Sequence, residues 1–138
     1  MDAQLPRPLV LVLVEDSAAD ERFFREILKD MPISTTLKVA RDGEEALTLL
    51  RTLGEEKDPL MPDVVFLDLH LPKKDGYEVL AELNKDARLC HLQVWVFIIA
   101  ENDLSKEVLE RRGLVVAGYL LKPVGVETLT QLLRHLRS

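Results

Sequence analysis

Three carboxylates and one lysine stand where they could share a reaction. Glu15 and Asp16 follow directly on the apolar run Leu9 to Val14, Asp68 follows Val64 to Leu67, and Lys122 follows Val115 to Leu121. An apolar run that stops on a charged residue reads as a strand buried on both faces that empties into a polar site. Carboxylates brought into one crevice repel one another, so a proton or a cation has to compensate. The donors on offer are oxygens, with no Cys or His cluster among them, and this favours a hard ion such as magnesium, or manganese in its place, over zinc or copper. Beside such an ion a carboxylate can attack phosphorus in line and become an aspartyl phosphate, while an ammonium supplies a compact charge to the phosphoryl oxygens. Asp68 is the candidate nucleophile, Glu15, Asp16 and Asp68 are the candidate metal ligands, and Lys122 is the candidate phosphoryl partner.

Four side chains so far apart in the chain need a regular frame to meet. Beyond the first strand, Phe23, Phe24, Ile27, Leu28 and Met31 recur at helical spacing, with Ser17 or Asp20 to cap the helix and Pro32 to stop it. Thr35 to Ala40 reads as a second strand, and Asp42 caps a helix that turns Ala46, Leu47, Leu50 and Leu53 inward and closes at Gly54. A charged, proline-bearing connection from Glu55 to Pro62 leads to the third strand, Val64 to Leu67. Asp75 starts the next helix, which carries Tyr77, Val79, Leu80 and Leu83. Leu92 to Ile99 is the most apolar strand and is expected at the centre of the sheet; a helix from about Asp103 to Arg112 ends at Gly113. Val115 to Leu121 gives a fifth strand, and Val126, Leu129, Leu132, Leu133 and Leu136 mark a last helix. Five strands alternating with five helices imply an α/β fold, a doubly wound parallel sheet covered on both faces by right-handed crossovers. Its ligand site falls outside the carboxyl ends of the strands, where the acids and the lysine lie.

Composition narrows the function. The 138 residues suit a single domain over 1–138, with a core from about 8 to 137 and no length left for an output domain. A net charge of -6 argues against nucleic acid as a partner, because phosphates are held by cationic surfaces. Cys90 is the one cysteine, so no internal disulfide is expected and a cytoplasmic address follows. The run Val94 to Ala100 is too short to span a bilayer, and a soluble protein without a membrane role is expected.

Three motifs in this order, Leu13-Val14-Glu15-Asp16-Ser17, then Leu67-Asp68-Leu69-His70-Leu71-Pro72 with Asp75-Gly76, then Tyr119-Leu120-Leu121-Lys122-Pro123, resemble the receiver domains of two-component response regulators over nearly the whole chain. The resemblance implies a flavodoxin-like sheet of strand order 2-1-3-4-5. It makes Asp68 the phosphoacceptor, Glu15 and Asp16 the acidic pair, the backbone carbonyl of His70 a further metal ligand and Lys122 the phosphoryl-binding lysine. Tyr119 takes the place of an aromatic ring whose exposure changes on activation, and the Lys122-Pro123 peptide is expected to be cis. The implied partner is a histidine kinase, and the implied homodimer forms through the fourth and fifth helices and the last strand. Leu69 to Leu83 is similar to single-domain regulators paired with phytochrome-type kinases, which adds a bacteriophytochrome to the candidate partners.

One part of the pattern is missing. Receivers carry a Thr or Ser at the end of the fourth strand to bond a phosphoryl oxygen, whereas no Ser or Thr occurs here from Leu92 through Leu104. Ile98, Ile99 or Ala100 takes that place, and a backbone N–H has to serve the phosphoryl group instead. His70, His91 and His135 sit at no metal-ligand spacing and read as surface residues; Lys73-Lys74 and Arg111-Arg112 read as solvated basic pairs, and Trp95 as a core or sheet-edge residue. The leading reading is a stand-alone phosphorylatable signalling domain, not an enzyme beyond self-phosphorylation from small donors and self-dephosphorylation. A phosphorylation-independent docking module is one alternative. A magnesium-dependent phosphohydrolase that uses an aspartyl phosphate is another, against which stands His70 where such an enzyme needs a second acid.

Overall fold

The computed structural model describes residues 7–55 and 61–137, so most of the expected connection from Glu55 to Pro62 and the first six residues lie outside the described part. Five strands and five helices alternate: β1 (Leu9–Val14), α1 (Ala18–Lys29), β2 (Thr35–Ala40), α2 (Gly43–Glu55), β3 (Val64–Leu67), α3 (Gly76–Lys85), β4 (Val94–Ile98), α4 (Ser105–Arg111), β5 (Gly118–Leu121) and α5 (Val126–Arg137). All pairings are parallel and the order is β2-β1-β3-β4-β5, the flavodoxin-like order that the resemblance implies. The central strand is β3; β4, expected there from its apolarity, lies one place out between β3 and β5.

Side-chain alternation divides the core in two. Val12, Val14, Val65, Leu67 and Val96 point to one face, where they meet Leu47 and Leu50 of α2, Val79, Leu80 and Leu83 of α3 and Leu109 of α4. Leu11, Leu13, Phe66, Phe97 and Leu120 point to the other, against Phe24, Ile27 and Leu28 of α1 and Leu129 and Leu133 of α5. Phe24 stands edge-on to Phe66 at 5.0 Å and to Phe97 at 6.4 Å, which ties α1 to β3 and β4.

Local chemistry explains the element ends. Ser17 caps α1 by accepting from the Asp20 N–H, Asp42 accepts from Glu45 N at 2.8 Å, and Asp75 and Glu78 form a capping box at α3. Helix α4 begins at Ser105, two residues later than periodicity suggests, because Asp103 sits outside it and accepts from both the N–H and the hydroxyl of Ser105. Gly113, at φ 68, ends the turn after α4 in a left-handed conformation that suits glycine. Both late strands are shorter than expected. Leu92 is held in a turn by its N–H to Leu89 O, and Val115 exchanges backbone bonds with the side-chain amide of Asn84 before β5 begins. Helix α2 runs through Gly54 to Glu55, and so passes the residue expected to close it. Phe23, placed on the apolar face of α1 by its spacing, is 48% exposed. Among the described residues no helix is long and apolar enough to cross a membrane.

Candidate functional site

The site is assembled at the carboxyl ends of β1, β3 and β5. The sheet delivers each residue through its backbone: Glu15 N bonds Ala40 O at 2.9 Å, Asp68 N bonds Val14 O at 3.1 Å and Lys122 N bonds Ile98 O at 2.8 Å. Glu15 and Asp68 therefore emerge from adjacent strand ends, and Lys122 reaches them from β5, across the end of β4. The Lys122 ammonium joins them, donating to Glu15 Oε1 at 2.6 Å and to Asp68 Oδ2 at 3.2 Å. A second bond from His70 N to Asp68 Oδ1 at 3.0 Å fixes the other carboxylate oxygen. The stem of Lys122 carries its ammonium 5.1 Å from the Phe97 ring, and the Lys122-Pro123 peptide is cis.

Burial sets the electrostatics. Glu15 is 2% exposed. Desolvation holds its carboxyl above the ordinary value, the hydrogen bond from Lys122 opposes that, and the neighbouring Asp68 adds to it. For Lys122 desolvation acts downward but is outweighed by Glu15, Asp20 and Asp68, so the ammonium is held firmly protonated. Asp16 is exposed. Glu15, Asp16 and Asp68 each present a carboxylate oxygen within 4.8 Å of the others. Three converging hard oxygens fit a divalent cation of the magnesium type, with charge in excess of what one ammonium neutralises.

Of the remaining expected residues, His70 lies beside Asp68 through its backbone N–H, with its side chain exposed. Tyr119 is half-buried against the α3/α4 side of the sheet, with Lys106 Nζ 5.2 Å from its ring. Burial, helped by Glu110, pushes its hydroxyl pKa up. Three residues compete for the place of the missing hydroxyl. Ile98 is buried at the end of β4, Ile99 is 73% exposed with its N–H given to Asp103 Oδ2 at 3.1 Å, and Ala100 is half-buried in the loop. The basic pairs are less free than solvated faces would be: Lys73 pairs with Asp42 at 3.7 Å, Lys74 pairs with Glu82, and Arg112 lies over Tyr77. Within the described residues, the three histidines join no group that could hold a metal.

By sequence Asp20 is only one of two candidate caps for α1. In the fold it reaches Lys122 Nζ at 2.9 Å from the first turn of α1. Its distance of 102 positions in the chain hides that contact, and an acid after a helix start is common enough to carry no signal of its own. Alongside, Leu13, Phe24, Phe97, Pro123 and Val124 line a cavity of about 200 Å³ whose wall includes Glu15, Asp20 and Lys122, with the half-exposed Phe23 at its rim.

The sequence and the fold are both shared with known proteins. The family model described as the response regulator receiver domain matches residues 11–134. Response regulator Rcp1 of Synechocystis sp. is 37% identical over 131 residues, covering 95% of this chain and 88% of its own. A crystal structure of Rcp1 in its Mn(2+)-bound form superposes with a TM-score of 0.71 over 95% of this chain and 93% of that one. The phosphorylated cyanobacterial phytochrome response regulator RcpA is 34% identical, with a TM-score of 0.73 over 95% of this chain and 92% of that one. The bacteriophytochrome response regulator AtBRR is 30% identical, with a TM-score of 0.80 over 96% of this chain and 94% of that one. The chain belongs to the response regulator receiver domain family.

Proposed function

We propose that this receiver accepts a phosphoryl group on Asp68 from a histidine kinase, with a phytochrome-type kinase as the donor class, and passes the signal on by protein contact. The observation that carries the reading is the Lys122 ammonium bridging Glu15 and Asp68 beside three carboxylate oxygens that converge within 4.8 Å. Similarity to a manganese-bound and to a phosphorylated regulator supports it.

Glu15, Asp16 and Asp68, with the carbonyl of His70, would hold magnesium or manganese, which supplies charge neutralisation for the incoming phosphoryl group. This chain's own groups do the rest. His70 N–H and Lys122 fix Asp68 in one rotamer, so that the attacking oxygen is aligned before the donor arrives. A new O–P bond forms on Asp68 as the P–N bond of a phosphohistidine breaks, and the departing imidazole nitrogen keeps the electron pair. Lys122 then has an ammonium proton to offer the phosphoryl oxygens. Self-phosphorylation from small acyl phosphates and self-dephosphorylation are the only turnover this arrangement supports, in keeping with a single domain acting in the cytoplasm. Tyr119 and the Ile98 to Ala100 segment form the altered switch, and the exposed Leu121 and Val126 offer apolar surface for a dimer through α4, β5 and α5.

The missing hydroxyl favours a second reading, a docking module indifferent to phosphate. Incubation with magnesium and acetyl phosphate, followed by intact-mass measurement, separates the two. A phosphoryl-sized gain in the wild type that is absent in Asp68→Asn supports acceptance. No gain with acetyl phosphate and none with a phosphorylated kinase leaves the docking module.

A further inference from the structure

We infer that Asp20 is a positioning residue for phosphoryl binding, a carboxylate on α1 that competes with the phosphoryl group for Lys122. The inference rests on Asp68 being the acceptor and concerns how that site is regulated. An ammonium has three N–H donors and no more. In the fold all three are engaged: Glu15 Oε1 at 2.6 Å, Asp20 Oδ2 at 2.9 Å and Asp68 Oδ2 at 3.2 Å. A phosphoryl oxygen that binds Lys122 has to displace one of these acceptors.

The three are not equally easy to displace. Glu15 is buried and would keep only the Ser17 N–H in place of its counter-charge, which is costly. Asp68 is the residue that carries the phosphoryl group. The Asp20 side chain is 51% exposed, so water can solvate it as soon as the lysine leaves. The ammonium therefore exchanges Asp20 for the phosphoryl oxygen. Asp20 sits in the first turn of α1, three residues before the exposed Phe23 at the rim of the adjoining cavity, and its release reaches a surface of α1 that does not involve the missing hydroxyl.

The test measures binding of beryllofluoride, a phosphoryl mimic, with magnesium present, by 19F NMR titration of the full chain. Asp20→Asn should lower the half-saturating concentration about two- to fivefold, in line with the modest value of a half-exposed ion pair. Asp20→Glu, which keeps the carboxylate, should return it toward the wild type. A general loss of packing would weaken binding, so the direction of change distinguishes competition from damage. Long-range charge is controlled by repeating Asp20→Asn in a Lys122→Arg background, where a guanidinium with five donors has bonds to spare and the gain should vanish. Lysine-detected 15N NMR gives an independent signature: the Lys122 Nζ resonance should shift on Asp20→Asn in the free protein. Failure of the wild type to bind the mimic overturns the acceptor reading and this inference with it. Binding by the wild type that Asp20→Asn leaves unchanged or weakens, or a gain that persists with Lys122→Arg, overturns the inference alone.

Discussion

Replacing Lys122 by Met tests whether the ammonium is what keeps the acids together. Met keeps most of the apolar stem over Phe97 and removes only the charge, so packing loss is small. What remains is Glu15, 2% exposed, beside Asp68 with no counter-charge. Breaking a buried pair by deleting one partner costs about 3–5 kcal/mol. Lys122 keeps 20% of its side chain exposed and the Asp20 bond is worth little, so the expected loss is lower, about 2–3 kcal/mol. With a urea m-value of roughly 1–3 kcal/mol per molar for a domain of this size, the unfolding midpoint should fall by about 0.7–3 M. Urea titrations at neutral pH with a chelator present are the assay. In Lys122→Met/Glu15→Gln neither charge is buried alone, and the double variant should recover most of the loss. A Lys122→Met midpoint within a few tenths molar of the wild type would refute the reasoning, as would a double variant no more stable than the single one.

Other outcomes follow from particular contacts. Glu21 in α1 pairs with Arg25 at 2.9 Å and with Arg41 beyond β2. Its burial pushes the carboxyl pKa up, but Arg25 and Arg41 outweigh this and hold it below the usual value. The pair therefore contributes stability above the unfolded carboxyl value, near 4.3, that is lost as pH falls through the depressed folded value. Thermal melts of Glu21→Gln should show a loss of about 1 kcal/mol at neutral pH, shrinking toward zero in acid; a loss that is the same at every pH would contradict the pairing. Gly43→Ala should cost more than about 1 kcal/mol, because a Cβ there would stand 1.8 Å from the backbone oxygen of Lys74. A melt unchanged by that substitution would place the β3–α3 loop elsewhere. Ile98→Thr should cost about 1–3 kcal/mol in urea titrations, whereas Ile99→Thr should stay within about 0.5 kcal/mol, since Ile98 is buried and Ile99 exposed. Equal costs would show that the end of β4 is wrongly described.

The alternation of strands and helices was readable because strands buried on both faces are uninterrupted apolar runs, as Leu9–Val14 and Val64–Leu67 are. The resemblance supplied the strand order. Acids and lysine at strand ends marked the same crevice that the fold assembles, since the carboxyl edge of a parallel sheet collects whatever follows each strand. What escaped the sequence depends on partners brought in from elsewhere. Asp20 meets Lys122 only once α1 packs on the sheet through Phe24 against Phe66 and Phe97, and Val115 leaves the last strand because Asn84 takes its backbone bonds. Phe23 follows helical spacing yet lies at a rim, because hydropathy records what a residue is and not whether the sheet extends beneath it. The shift of β4 from the centre has the same origin: apolarity distinguishes interior strands from edges but does not rank the interior ones.

Trp95 is the only tryptophan, and its indole nitrogen is buried without a hydrogen-bond partner. Its ring packs so close to Gly118 that a methyl group on that residue would meet Trp95 Cζ3 at 2.4 Å. The chain thus carries a built-in optical gauge at the edge where β5 and α5 meet. The ring is partly buried with its nitrogen shut from solvent, so prying that edge open would admit water to the indole nitrogen and move the emission to the red. Events confined to the acidic crevice would leave the colour unchanged, so an unlabelled sample can tell local ligand capture from rearrangement of the sheet edge.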